Sequence, residues 1–257
     1  MLPSEWSADA LLDEVLVAPR RAFPTWAGTQ VIEGPGWLQI ITPSVRRGGL
    51  NQVLQSELDE HEADARIDAT IAQYRALDLH FRWDVPPHPR PPDLARRLEQ
   101  RGLAATEVVG MARATQPELD DPRGDITVVE VDAATIDVFA RVMAEGWGVD
   151  VTPFEPLHRA LLDDPARRQT MVLASCAGEP AGIAASVTLE RSVYLLGGVV
   201  LPQWRGRGVY RALVATRLRH AAARGRSLVT VHALASSSAP LLARLGFVEL
   251  VRFTSHR

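Results

Sequence analysis

A segment in the last quarter of the chain constrains the fold more than any other: VVLPQWRGRGVYRAL joins a strand to a helix through two glycines. Pro202 lacks an amide N–H and ends the strand, and Gly206 and Gly208 let the backbone approach a ligand closely. The first N–H groups of the helix have no intrahelical partner, and the helix dipole favours an anion there. Arg205 and Arg207 add two guanidinium groups suited to phosphate. The segment predicts a phosphate-binding loop.

Three other structures also have glycines between a strand and a helix. A nucleotide P-loop needs a lysine after its last glycine, and all 28 basic residues of this chain are arginines. A dinucleotide-binding fingerprint needs a third glycine, where Arg211 stands, and follows an early parallel βαβ unit. An ordinary strand-to-helix turn needs neither two glycines nor two cations. The phosphate-binding loop is therefore the favoured prediction.

After Asp125 the hydrophobic pattern alternates short strands with amphipathic helices. It predicts strands at 126–132, 171–176, 181–189, 193–201, 228–233 and 247–253, and helices at 132–145, 155–162, 208–224 and 237–245. The turns within 171–201 are short enough for hairpins, whereas the long helix after 201 can carry the chain to a parallel strand. This order predicts an α/β fold with a mixed sheet.

The residues before Thr115 have a less regular pattern. It predicts helices at 7–17, 54–77 and 92–101, and strands at 30–33, 37–42, 79–84 and 105–113. Two stretches, LHFRWDV to VVGM and SLVTVHA to LVRF, share the order strand, helix with Leu-Ala-Arg, glycine and strand, which indicates a weak internal repeat. Thr115 to Asp125 is acidic and contains two prolines, as is typical of a linker. Two domains are predicted, 1–118 and 126–257.

Composition narrows the function classes. The net charge of −3 gives no electrostatic reason to expect nucleic acid. The one cysteine, Cys176, cannot form an internal disulfide and lies in an apolar run, so it is interpreted as a buried structural thiol. The first residues lack the pattern of a signal peptide, and no apolar run has the length of a membrane span. A cytoplasmic protein that binds neither nucleic acid nor membrane is expected.

The C-terminal part, about 126–257, resembles the GNAT superfamily of acyl-CoA-dependent N-acyltransferases. Gln203 to Gly208 fits the family signature Arg/Gln-x-x-Gly-x-Gly/Ala, and Leu245-Gly246-Phe247 fits the turn after the family's last helix. The resemblance implies a GNAT fold for this part, and a degenerate GNAT-like fold for 1–118. It implies acetyl-CoA as co-substrate, bound by residues that continue from the end of the strand into the helix: Gly198, Val199, Val200, Arg205, Gly206, Arg207, Gly208, Val209 and Tyr210.

The resemblance also implies a mechanism. In the family the fourth strand carries a bulge and splays from the fifth, so backbone N–H groups near Gly198 to Val200 would bind the thioester carbonyl. The family's usual acid is a tyrosine on the last helix, but Leu242 occupies that position. Ser238, at the start of the same helix, is a weak candidate for a replacement donor. The favoured interpretation is that it caps the helix or donates a hydrogen bond to the pantetheine arm of the cofactor.

Candidates for the base are also expectations from the resemblance. The strand 193–201 has no carboxylate, and Tyr194 is its titratable group. Glu145 borders the expected acceptor side and would act through water, as would Asp150 and Glu155 with less support. His232 is a weaker candidate. Trp147 is expected to line the acceptor pocket, and the histidine spacing predicts no metal.

Two functions of different classes follow. The favoured one is an enzyme that transfers acetyl from acetyl-CoA to a primary amine of a small molecule or peptide by direct attack. The alternative is an inactive acyl-CoA-binding module with a sensing or assembly role, which the missing tyrosine favours. A homodimer is compatible with either function.

Overall fold

The computed structural model describes residues 2–22, 28–47, 49–120 and 124–257. The strands are β1 (Gln30–Gly34), β2 (Trp37–Ile41), β3 (Gln52–Ser56), β4 (Arg82–Val85), β5 (Ala105–Ala114), β6 (Ile126–Glu130), β7 (Gln169–Cys176), β8 (Glu179–Thr188), β9 (Val193–Val200), β10 (Leu228–Leu234) and β11 (Val248–His256). The helices are α1 (Ala8–Leu16), α2 (Ala63–Ala76), α3 (Leu94–Glu99), α4 (Ile136–Trp147), α5 (Glu155–Asp163), α6 (Val209–Ala223) and α7 (Ser238–Arg244). None of the helices formed by these residues is long and apolar enough to cross a membrane.

The chain divides into two compact units. The first contains the described residues of Met1–Ala22, Met111–His232 and Pro240–Leu250. The second contains those of Phe23–Gly110, Ala233–Ala239 and Val251–Arg257. β5, β10 and β11 contribute residues to both units, and the predicted division into 1–118 and 126–257 stays a prediction.

In the first unit β6, β7, β8 and β9 form an antiparallel meander, and β10 pairs with β9 in parallel. The parallel pairing requires a crossover connection, which α6 provides. Val199 contacts α4, whereas Val200 packs with the apolar cluster of α6. Because successive strand residues point to opposite faces of a sheet, α4 and α6 cover opposite faces.

The second unit repeats the order of the first. β1, β2 and β3 are antiparallel neighbours, and α2 leads from β3 to its parallel neighbour β4. Its core contains Trp37, Val53, Ile67, Trp83 and Leu98, with α2 and α3 on one face. The two stretches of the predicted repeat have the same elements: β4, α3 and β5 in one, and β10, α7 and β11 in the other. The prediction of a mixed α/β sheet, with a GNAT-like order in both parts of the chain, is confirmed.

One predicted element is wrong. The helix expected at 54–77 begins only at Ala63, and the residues before it form β3, which pairs with β2 and β4. β3 is buried along nearly its whole length, so it lacks the alternation that reveals a half-exposed strand. The turn between them is closed by Asp59, whose carboxylate accepts a hydrogen bond from the His61 N–H at 2.9 Å.

Candidate active site

A bulge in β9 is the centre of the site. Ile183 and Ala185 of β8 pair with Val199 and Leu196, so Gly197 and Gly198 together stand opposite a single residue of β8. Gly197 has φ +43°, a conformation that favours glycine. A bulge of this kind leaves backbone groups outside the ladder and redirects the strand. The family-based expectation of a bulge at this strand agrees with this geometry.

β9 and β10 separate just before the bulge. Their parallel pairing runs from Val193–Val229 to Leu195–Val231. Beyond these pairs β9 continues to Val200 and β10 to Leu234. The two strands therefore cease to pair close to the bulge, so the opening between them and the bulge lie together in β9.

The end of α4 covers the bulge from one side. The Cη2 atom of Trp147 lies 3.0 Å from the position that a Cβ on Gly197 would occupy. Gly146 is in equally close contact, since a Cβ there would lie 2.7 Å from Cγ2 of Val199. Gly148, with φ +64°, ends the helix in a left-handed conformation. Trp147 is still 42% exposed, so its ring borders both the bulge and solvent.

Two side chains of α6 meet the bulge at Gly198. The Cε2 atom of Tyr210 would lie 3.5 Å from a Cβ on Gly198, and the Nη2 atom of Arg217 would lie 3.8 Å from it. Arg217 is 3% exposed. Its Nε donates to the Leu213 carbonyl at 3.0 Å and its Nη1 to the Ala185 carbonyl at 3.1 Å. A cation is thus held directly behind the bulge.

The electrostatics of this pair follow from burial. Burial lowers the pKa of Arg217 to about 10, so the guanidinium remains charged at neutral pH. Burial raises the pKa of the Tyr210 phenol, and the Arg217 cation opposes that rise. No described carboxylate forms an ion pair with Arg217. The bulge therefore faces a buried positive charge whose bonds here are to neutral carbonyls.

The glycine–arginine loop, residues 203–208, leads from β9 to α6 and contains two glycines with positive φ. Gly206 and Gly208 have φ +74° and +98°, and a Cβ on Gly206 would meet nothing within 4 Å. Gly208 precedes α6 and offers no capping side chain, so the first N–H groups of the helix have neither an intrahelical partner nor a side-chain cap from that residue. The exposed Arg205 donates from Nε to the Val200 carbonyl at 3.1 Å, and the exposed Arg207 lies over the ring of Trp204 at 5.1 Å. Val209, the first residue of α6, is buried and anchors the helix in the core.

Glu145 lies on α4 next to this loop. Its Oε1 accepts a hydrogen bond from Nε2 of Gln203 at 3.3 Å, and its side chain is exposed. Glu145 thus precedes Trp147 by two residues in α4, and its carboxylate contacts Gln203, the first residue of the predicted loop motif. Gln203 therefore links α4 to the loop.

Tyr194 and His232 lie where β9 and β10 begin to separate. Tyr194 is 4% exposed and packs in an apolar cluster with Ala22, Val187 and Leu189. Its ring meets His232 edge to face, with the centroids 5.3 Å apart. The Nε2 of His232 lies 2.7 Å from the Val15 carbonyl oxygen, which can only accept, so Nε2 carries the proton. α1, which contains Val15, therefore contacts the end of the opening where Tyr194 and His232 lie.

Ser238 and Leu242 lie on α7. The Ser238 hydroxyl accepts a hydrogen bond from the Leu234 N–H at 2.9 Å, as a residue that caps a turn does. Leu242 is fully buried and cannot be replaced by a polar group without repacking. The cofactor role of Ser238, like the other residue roles named from the sequence, stays a prediction.

The sequence analysis did not predict the position of Arg217 at the bulge or the long-range contacts of α1. The apolar stripe of the helix, Tyr210, Leu213, Val214, Leu218 and Ala221, contains Arg217 at helical spacing, so an arginine on a buried face was the available signal. No comparable signal exists for α1, because its contacts with Ser192 and His232 join residues about 180 to 220 positions apart.

Comparison with known proteins identifies the domain. A family model described as an acetyltransferase (GNAT) domain matches residues 111–232. A GCN5-related N-acetyltransferase from Kribbella flavida has a TM-score of 0.67 at 15% identity, over 99% of this chain and 96% of its own. One from Sphaerobacter thermophilus has a TM-score of 0.63 at 16% identity, over 100% and 96%. A tandem GNAT protein from the clavulanic acid biosynthesis pathway has 0.61 at 15%, over 97% and 92%.

Comparison with curated protein sequences gives no match. The structural likenesses cover nearly the whole chain at low identity and establish the fold. The family model extends from Met111 to His232 in β10 and includes the bulge and the glycine–arginine loop. Residues 111–232 of this protein therefore form an acetyltransferase domain of the GNAT family.

Proposed function

We propose that the protein transfers an acetyl group from acetyl-CoA to a primary amine. The observation that carries the proposal is the bulge at Gly197–Gly198, which lies beside the opening between β9 and β10 in the same unit as the glycine–arginine loop. An acyl-CoA needs a site for its pyrophosphate and a polar backbone site for its thioester. The loop and the bulge are suited to these two roles.

The residue roles follow from this arrangement. Gly206, Gly208 and the N–H groups at the start of α6 would bind the pyrophosphate, with Arg205 and Arg207 adding charge-assisted hydrogen bonds. Backbone N–H groups from Gly198 to Val200 would bind the thioester carbonyl and stabilise its oxyanion. The amine attacks the carbonyl carbon, the C–S bond breaks, and CoA leaves as the thiol.

The acceptor amine must lose a proton before or during attack. Glu145 is the preferred base because it is exposed, borders the loop through Gln203 and lies next to Trp147. It would act through a water molecule. Tyr194, the second candidate, is 4% exposed and packs among apolar side chains, so an acceptor amine has less access to it than to Glu145. Trp147 would line the acceptor side of the bulge.

Titration calorimetry with acetyl-CoA, followed by thiol release over a panel of amines, tests the proposal. Arg205 and Arg207 changed together to Ala should weaken acetyl-CoA binding at least about 30-fold, because two charge-assisted bonds are lost. Arg75→Ala removes an equally exposed arginine from α2 and should leave binding unchanged. Failure of the wild type to bind acetyl-CoA would refute the proposal.

A second function is favoured by the buried Leu242. In that case the protein binds acyl-CoA without catalysis and serves a sensing or assembly role. Binding of acetyl-CoA without turnover on any amine would support it. Light scattering with and without acetyl-CoA would show whether the proposed homodimer forms and whether it depends on the ligand.

A further inference from the structure

Tyr210 and Arg217 approach the bulge from α6 at the same residue. Both lie within van der Waals distance of the place where Gly198 would carry a side chain. Under the proposed function the backbone at Gly198 binds the thioester carbonyl. Because the sulfur is bonded to the carbonyl carbon, groups that lie against Gly198 are within reach of the sulfur as well.

We infer that Tyr210 is the proton donor to the sulfur of the leaving thiolate, and that Arg217 is a positioning residue that holds the bulge and supports the charge formed there. The inference rests on the proposed function. In the step, the C–S bond breaks and its electron pair moves to sulfur, which takes the proton from the Tyr210 hydroxyl. The tyrosinate regains a proton from solvent, which has received the one lost by the amine.

The surroundings of Tyr210 suit a donor. The side chain is half-buried, and among the described residues none is hydrogen-bonded to its hydroxyl. Burial raises the pKa of the phenol, which keeps it protonated at neutral pH. The Arg217 cation acts in the opposite direction and makes the proton easier to donate.

The surroundings of Arg217 suit its role. Its Nη1 binds the carbonyl of Ala185, which pairs next to the bulge, and its Nε binds the carbonyl of Leu213 one turn earlier in α6. Two carbonyls fix the guanidinium without neutralising its charge. A buried cation without a described carboxylate partner favours a negative charge at the bulge, whether on oxygen or on sulfur.

Tyr210→Phe tests the donor, since it keeps the ring against Gly198 and removes only the hydroxyl. We expect kcat to fall about 100-fold, as for loss of a general acid, with little change in the affinity for acetyl-CoA. Tyr74→Phe removes a tyrosine hydroxyl from the core of the second unit, where it donates to the Ile40 carbonyl at 2.8 Å, and should leave kcat unchanged. Equal kcat in the wild type and Tyr210→Phe would overturn the inference.

A second readout needs no acceptor. The thiolate absorbance of bound CoA is followed against pH, with desulfo-CoA as the blank that removes tyrosine absorbance. The Tyr210 hydroxyl and the Arg217 cation favour the thiolate, so the bound thiol should titrate at a lower pH than free CoA, and Tyr210→Phe should raise that pH. If the wild type binds CoA but acetylates no amine, only the enzymatic proposal fails. An unchanged thiol titration in Tyr210→Phe would then overturn the inference by itself.

Arg217 is tested with two variants, because a neutral side chain in its place can impair folding. Arg217→Met removes the cation and should move the alkaline limb of the pH–rate profile to higher pH, since Tyr210 then keeps its proton longer. Arg217→Lys retains the charge and should keep the limb near its wild-type position while lowering kcat through the lost Ala185 bond. A limb that stays in place in Arg217→Met, or moves equally in both variants, would contradict the role of the charge.

Discussion

At the bulge in β9, two residues without side chains leave room for three large ones. Trp147 lies against Gly197, and Tyr210 and Arg217 lie against Gly198. The resemblance to the GNAT family made Gly198 a candidate, because the family has a bulge in its fourth strand. Which side chains meet Gly197 and Gly198 could not be predicted from the sequence. Trp147 lies far from Gly197 along the chain, and no local pattern connects the two residues. Arg217 was hidden for a further reason: one arginine in an apolar stripe is compatible with a solvated helix edge.

The replacement of Gly197 by Ala tests the bulge at the level of one residue. With φ +43° and the Trp147 ring 3.0 Å from the new Cβ, the variant must strain the backbone and displace the ring. We expect a loss of about 1–2 kcal/mol in the free energy of unfolding and at least about a 10-fold loss in acetyl transfer. Urea unfolding and thiol release measure the two effects.

Gly178→Ala is the matched control for this variant. Gly178 has φ +83° in the turn between β7 and β8, and a Cβ there would meet nothing within 4 Å. It should show a similar loss in the free energy of unfolding and no loss in transfer. Equal activity of both variants would mean that the conformation of Gly197 does not shape the site.

At the scale of elements, local pattern predicted most helices and strands, and long-range contacts explain what it missed. The helix predicted at 7–17 is present as α1, capped by Ser7, whose hydroxyl accepts from the Ala10 N–H. What the sequence could not predict is its partner. Glu14, which looks like any surface carboxylate of an amphipathic helix, is buried and accepts a hydrogen bond from the Ser192 hydroxyl at 2.5 Å.

Glu14 should therefore decide how firmly α1 is held to the turn between β8 and β9. Glu14→Ala removes a charged acceptor and leaves the buried Ser192 hydroxyl unpaired, so the free energy of unfolding should fall by about 1.5–3 kcal/mol. Asp13→Ala removes a neighbouring carboxylate that is exposed, and should change it by less than about 0.5 kcal/mol. Urea unfolding of both variants measures the difference. Similar losses in the two would exclude a specific role for the Glu14–Ser192 bond.

At the scale of the whole molecule, three histidines share one electrostatic condition. His158 and His220 belong to the first unit and His256 to the second. Burial is the main cause of a lowered pKa in each of them, and for His158 the pKa falls to about 4. His158 packs edge to face on Phe139 at 5.5 Å, a setting that suits the neutral ring. These three imidazoles therefore bind a proton less readily in the folded state than in the unfolded chain, where the pKa of histidine is near 6.5.

This condition gives the protein a predictable sensitivity to acid. A histidine whose pKa is lower in the folded than in the unfolded state adds to the free energy of unfolding. This contribution is fully present above the unfolded pKa near 6.5 and is lost as the pH falls through the folded pKa. For His158 the change from 6.5 to about 4 corresponds to about 3 kcal/mol. His158→Gln, which cannot titrate, should flatten the fall in the free energy of unfolding between about pH 6.5 and 4. The exposed His61, changed to Gln, should leave that slope unaltered. The measurement is urea unfolding across this pH range. An unchanged slope in His158→Gln would mean that the ring binds a proton equally well in the folded and unfolded states, against the lowered pKa.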